Sequence, residues 1–226
     1  MKNKIASLGV SGILLTLLVS SCNRNSENQN TQNYFIPVSL TVKAYGFFQP
    51  GTYWIYQDSA SHALDSEYVV SASQGSTSIS QNQNMGYTGT FGWLKEQWMG
   101  SRQGQVNNLY VDMTQSMNGP CVLWMDEHIA GVYKGQNILM SDNWVPGYVI
   151  YPSTEPNGYL EFMRSLDTVK VLSKAYPAVI QYYERQNSVF QYNRTNIYLA
   201  KNVGIIRKEL LDSVKVWNLI RSHIVQ

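Results

Sequence analysis

Short runs of apolar and aromatic residues fill most of the chain, and turn-forming residues end nearly every run. Thr52-Tyr53-Trp54-Ile55-Tyr56 is opened by Pro50-Gly51 and closed by Gln57-Asp58-Ser59. After Ser61-His62-Ala63 a second run, Tyr68-Val69-Val70, returns, so the pair predicts a β-hairpin. The same reading predicts strands over 91–98, 106–113, 121–125, 130–133, 148–151, 168–172, 179–183, 196–201, 204–210 and 216–221. Asn118-Gly119-Pro120, Pro156-Asn157-Gly158 and Asn202-Val203-Gly204 punctuate them as turns. The Ser/Gln/Asn/Gly-rich stretch 74–84 reads as a long surface loop.

Helical periodicity is sparse. Residues 38–48 place Leu40, Ala44 and Phe47 or Phe48 on one side of a short helix, and 159–166 fits helix or strand. Consecutive strands lie too close together in sequence to hold crossover helices, which argues against parallel βαβ units. The expected fold is therefore all-β: a mainly antiparallel meander with one or two short helices. So many short strands must curl into a curved sheet or half-barrel, or stack as a sandwich, to cover one face.

Composition strengthens this picture. With 16 Tyr and 6 Trp in 226 residues, the chain is rich in side chains that favour strands. Charge narrows the partners. Lys2 and Lys4 lie in a segment expected to be removed, which leaves 15 basic against 15 acidic side chains. A neutral chain without a basic run has no footprint for nucleic acid.

Residues 1–22 carry Lys2 and Lys4, then a Leu-rich uncharged run, then Val19-Ser20-Ser21-Cys22. That order is a secretory signal peptide, and its apolar core is well short of the ~20 residues of a membrane-spanning helix. The ending resembles the lipobox of bacterial lipoproteins, which implies cleavage before Cys22, acylation of Cys22, and stable anchoring by several acyl chains. In the sorting scheme of that resemblance Asp at the next position retains a lipoprotein in the inner membrane, and Asn23 implies the outer one. Residues 23–33 hold no apolar side chain and read as a flexible polar tether. The expected organisation is a signal peptide over 1–21, lipidated Cys22 and tether over 22–33, and one β-rich envelope domain over 34–226.

The segment Phe48-Gln49-Pro50-Gly51-Thr52-Tyr53-Trp54-Ile55-Tyr56-Gln57-Asp58-Ser59, followed by Leu64-Asp65-Ser66, resembles a hairpin near the start of many uncharacterised Gram-negative lipoproteins. A second match lies in Val169-Lys170-Val171, Lys174-Ala175-Tyr176-Pro177-Ala178-Val179-Ile180, Tyr198 to Glu209 through Ala200-Lys201-Asn202-Val203-Gly204, and Trp217-Asn218-Leu219. It is similar to the terminal meander of such proteins, which usually carry Gly where this chain has Asn202. Asn tolerates left-handed backbone angles, so the turn is expected to survive. The resemblance covers about a third of the chain. It implies a β-rich envelope domain and no activity.

Catalytic signals are weak. His62, His128 and His223 are scattered and match no metal-binding spacing, so neither metal nor cofactor is expected. The densest cluster is Cys121-Val122-Leu123-Trp124-Met125-Asp126-Glu127-His128. On a strand Asp126 and His128 share a face, which would let a pair of this kind activate a thiol. The apolar setting of Cys121 instead points to a buried free thiol, with Asp126-Glu127-His128 as a polar hairpin end. Asp65, Glu67, Glu96, Asp112 and Glu161 include no spacing that selects a glycosidase pair. Trp93, Trp98, Trp124 and Trp144 suit core or sheet surface, or a surface that stacks sugars or lipid. Asp58-Ser59-Ala60, Asp167-Thr168-Val169 and Asp212-Ser213-Val214 resemble an envelope O-glycosylation acceptor, with Ser59, Thr168 and Ser213 as the modified residues.

Three functional expectations follow. The first is a non-enzymatic outer-membrane lipoprotein, a binding or accessory module for an envelope protein or polymer, facing the periplasm or the cell surface. The second is a carrier of a lipid or other apolar ligand in the curved sheet. The third is an enzyme, such as a hydrolase, using Cys121 or a carboxylate pair.

Overall fold

The structure is a computed structural model that describes residues 34–79, 89–101, 104–111, 120–150, 159–188 and 191–226. The signal segment, Cys22, the tether and Asp112 lie outside the described residues. The chain enters through β1 (Tyr34–Ile36) and helix α1 (Leu40–Gly46). One arm of a meander follows: β2 (Tyr53–Asp58), β3 (Leu64–Ile79), β4 (Gly89–Gly100), β5 (Gln105–Val111), β6 (Val122–Ile129) and β7 (Val132–Ser141). The second arm comprises β8 (Val149–Ile150), β9 (Tyr159–Val171), β10 (Lys174–Ser188), β11 (Gln191–Ala200), β12 (Gly204–Leu210) and β13 (Lys215–His223).

The thirteen strands among the described residues belong to one sheet in the order β7-β6-β5-β4-β3-β2-β13-β12-β11-β10-β9-β8, with β1 beside β4. Each consecutive pair is antiparallel, and the two arms are joined where β13 pairs with β2. Among the described residues only β1 runs parallel, against the start of β4. The fold is the expected antiparallel meander, with α1 as its one helix among the described residues.

The sheet curls. Strands β7 and β10 are far apart in strand order, yet the Tyr182 hydroxyl on β10 donates to the Ser141 carbonyl on β7 at 2.6 Å. The same hydroxyl accepts from the Ser141 amide at 3.3 Å. One phenol thus supplies a donor and an acceptor across the seam between the arms.

Helix α1 and the residues after it fill the inner side of the curl. The Ala44 carbonyl accepts from the Asn202 amide at 2.7 Å, and the Tyr45 hydroxyl donates to the Ala178 carbonyl at 2.9 Å. On the opposite wall, the Phe48 amide donates to the Glu96 carboxyl. Val42, Phe48, Trp54, Leu94, Leu123, Met140, Leu160, Ile180, Leu199 and Ile206 are all buried in one continuous core that draws on both arms. Burying each such side chain contributes about 1.5–3 kcal/mol.

Two local readings are corrected. Residues 74–79 of the expected loop continue β3, because Gln74 to Ile79 pair in register with Leu94 to Gly89 of β4. Asp126-Glu127-His128 lies within the last half of β6, next to the hairpin turn but inside the strand and paired on both sides. The hairpin turns two residues later at Ala130-Gly131, both with positive φ. The ambiguous 159–166 stretch is strand, the first part of β9. Asn202 takes the left-handed conformation, φ 61°, expected of it.

Candidate binding face

The residues singled out for thiol chemistry do not assemble. Cys121 precedes β6 and His128 lies seven residues on, about 23 Å along an extended strand. Cys121 is a free, half-buried cysteine whose amide donates to Asp142 at 2.7 Å. Burial pushes its thiol up to about 11, with the nearby Asp142 charge adding to the effect. Such a thiol is a poor nucleophile at neutral pH.

The carboxylates fare similarly. Asp65, Glu67 and Glu96 do reach the inner face of the sheet, since their register partners include the buried Tyr56, Trp54 and Leu109. Glu67 sits opposite Gly100, four residues along β4 from Glu96, so about 13 Å of strand separates them. Each also has its own setting. Glu67 accepts from Lys208 at 3.2 Å, and the Lys208 ammonium lies 5.2 Å from the Tyr56 ring centroid. Burial opposes the Lys208 charge, but the Glu67 and Asp65 carboxylates outweigh it and hold the ammonium above its ordinary value. Asp65 accepts from Ser101. Glu161 is on β9, opposite Tyr183 and Val149 in the other arm.

Glu96 is the most unusual inner group. Its carboxyl is 3% exposed and accepts from the Phe48 amide at 2.6 Å. Trp98, two residues on, packs 4.8 Å from Trp54 and 6.4 Å from Phe48 between ring centroids. Burial pushes the Glu96 carboxyl up to about 8; the Phe48 amide and the Trp98 indole pull the other way without offsetting it. The second oxygen nevertheless has no hydrogen-bond partner of good geometry. A neutral acid anchors the α1 connection to the sheet.

The outer face of the first arm is organised differently. Directly opposed residues of neighbouring strands put their side chains on the same face. Following register across the sheet gives one continuous row. Tyr133 of β7 faces His128 of β6, and His128 faces Val106 of β5. Val106 faces Met99 of β4, and Met99 faces Tyr68 of β3. Tyr68 faces Tyr53 of β2, and Tyr53 faces His223 of β13. The row crosses seven strands, about 29 Å. Its rings touch: His128 and Tyr133 lie edge-on at 5.5 Å, Tyr53 and His223 stack at 5.9 Å, and the Tyr68 hydroxyl donates to the Met99 sulfur at 3.3 Å. Tyr133 is 51% exposed and Tyr68 44%.

Two residues along β4, β5 and β6, and three along the bulged β3 and β7, runs a polar row: Gln136, Asp126, Asn108, Gln97 and Ser71. The Gln97 amide donates to Asn108 at 3.2 Å, and Asn108 meets the His128 ring nitrogen at 3.4 Å. Beyond it Trp124, Tyr110 and Lys95 form a third row. Tyr110 links the rows, donating to Asp126 at 3.4 Å and accepting from Gln136. Trp93 is opposite Gly75, where any β-carbon would fall 2.7 Å from the indole, so the missing side chain lets the ring lie over β3.

Of the four tryptophans noted in sequence, Trp98 is core, Trp93 belongs to this outer face, and Trp124, opposite the buried Ile138, is half-buried and packs against the core. Trp144 packs edge-on against Tyr45 and donates to the Ser141 carbonyl at 3.2 Å beside the seam. Ser59, Thr168 and Ser213 are all exposed, Ser59 and Ser213 in hairpin turns and Thr168 on β9. Ser59 accepts from Asn218 at 2.7 Å. His62 lies in the β2–β3 turn with φ 57°.

Sequence reading missed Tyr53, Tyr68, Met99, Val106, Tyr133 and the amides Gln97 and Asn108. Alternation within each strand assigns these residues to one face, but their alignment across strands depends on register. Among the described residues no group of three or more His, Cys, Asp or Glu is placed to hold a metal ion, and no helix is long and apolar enough to cross a membrane. No family model, curated protein or solved structure matches the chain.

Proposed function

We propose that the protein is a non-enzymatic binding module of the cell envelope, held on the outer membrane by acyl chains on Cys22. It presents the outer face of β3–β7 to an envelope protein or polymer. The observation that carries this reading is the contrast between the two sides of one sheet. Where an apolar ligand would lie, Val42, Phe48, Trp54 and Trp98 already stand in the core. On the other side, exposed Tyr68 and Tyr133 and half-buried aromatic and amide groups are aligned on rigid strands, the mixture of anchors and adaptable hydrogen-bonding groups that binding surfaces use. The filled inner side favours this reading over carriage of a lipid or other apolar ligand. The raised thiol of Cys121 and the separated carboxylates favour it over hydrolysis.

The exposure of Ser59, Thr168 and Ser213 is compatible with O-glycosylation in the native host. Peptide mass spectrometry finding all three unmodified would remove that part of the proposal.

The test uses the full chain made in a Gram-negative host. Wild type should partition with outer membranes and incorporate labelled palmitate, and Cys22→Ser should do neither. A photo-crosslinking residue at Gln97 should give a discrete adduct in cells, while one at exposed Lys170 on β9 should not. A wild type that fractionates as soluble, or no adduct from Gln97, would overturn the reading.

A further inference from the structure

We infer that the outer face of β3–β7 takes an uncharged glycan chain laid across the strands; this rests on the binding-face reading and adds the chemistry of the ligand. Charge comes first. The polar and aromatic rows contain one cation, Lys95, and one carboxylate, Asp126. Lys95 lies 5.9 Å from the Trp93 ring centroid, and Asp126 already accepts from Tyr110. Among the described residues of these rows the two charges offset one another, so an uncharged partner is the one the rows complement.

Spacing comes second. On β4, β5 and β6 the aromatic and amide rows alternate at a two-residue pitch, about 7 Å. Protein interfaces rely on anchors clustered in a dry, fully desolvated centre, which this interleaving interrupts with Gln97, Asn108 and Asp126. A pyranose ring has the matching pattern on its own scale. Its axial C–H faces stack on a ring, and its equatorial hydroxyls both donate and accept, as planar amides do. The amides are already fixed by one another, Gln97 to Asn108 and Asn108 to His128, which lowers the ordering cost of binding.

The experiment is calorimetric titration of the purified full chain with soluble neutral oligosaccharides: β-glucans, xylans, mannans and chito-oligosaccharides. At least one series should bind, with affinity rising with chain length. Tyr68→Ala and Asn108→Ala should each weaken that binding about tenfold, Lys170→Ala should leave it unchanged, and raising salt should change it little. Thermal unfolding of each variant monitors folding. Binding by none of the series, binding abolished by salt, or binding indifferent to both face variants would overturn the inference. The Gln97 crosslink separates this failure from that of the underlying reading. An adduct with a protein overturns the glycan while keeping the face, and no adduct overturns both.

Discussion

Glu96→Gln tests how the inner side of the sheet is held. The native carboxyl is pushed up to about 8 from an ordinary value of 4.5, chiefly by burial. The folded chain therefore keeps a proton that the unfolded chain releases, and stability falls as pH rises between those two values. The slope approaches 1.4 kcal/mol per pH unit. At pH 7 the loss relative to acid is about 3 kcal/mol, which for a domain of this size is about 6–12 °C in melting temperature. Gln preserves an oxygen to accept from the Phe48 amide and cannot ionise. Urea unfolding of wild type and variant from pH 5 to 8 should give curves whose pH-dependent separation is about 1 kcal/mol or less at the acid end. They should separate steadily toward pH 8, with the variant more stable. Comparing the two chains at each pH cancels every other titrating group. Parallel curves across this range would refute a neutral buried Glu96.

Other positions give independent checks. Tyr182→Phe removes the hydroxyl that bonds both the amide and the carbonyl of Ser141, and should cost about 1–3 kcal/mol in denaturant unfolding with an unchanged m value. An unaltered midpoint would mean that the seam is held by other contacts. Val214 is 84% exposed at φ 53°, a conformation that β-branched residues resist. Val214→Asn should therefore stabilise by about 0.5–1 kcal/mol, and a lower melting temperature would contradict the strain. Cys121, with its thiol pushed up to about 11, should stay unreactive toward a thiol reagent at pH 8 in the folded chain and react on unfolding. Prompt labelling of native protein would reopen the thiol reading.

Much of the fold was legible because strand, turn and hairpin signals are local. The run 204–210 coincides with β12, and Asn202 was expected to be a left-handed turn residue because it stands where the resemblance has Gly and Asn tolerates that conformation. Polarity misled where it stood in for exposure. The Ser- and Gly-rich 74–79 looks like loop, yet β4 supplies it with a full ladder partner. Asp126-Glu127-His128 looks like a hairpin end, yet β5 and β7 flank it. A two-residue Ala130-Gly131 turn carries too weak a signal to place the reversal correctly. Glu96 was visible only as one carboxylate among several, because its partner is the amide of Phe48, 48 residues away.

The candidate face was hidden for a different reason. A strand's sequence specifies which residues share a side, but a two-residue shift of one strand against the next would leave every inward residue inward and still scatter the outer row. What fixes the register is therefore a separate matter, and several anchors lie on the inner side. The Phe48 amide on Glu96, the Trp54 indole on the Val203 carbonyl and the Tyr56 hydroxyl on the Ile205 carbonyl each tie one strand or connection to a distant one. Strands are rigid across their thickness, so these inner contacts also set where Tyr68, Met99 and Tyr53 meet outside. The polar groups buried within the core thus have a consequence beyond stability. They hold in alignment an outer surface whose members share no sequence motif.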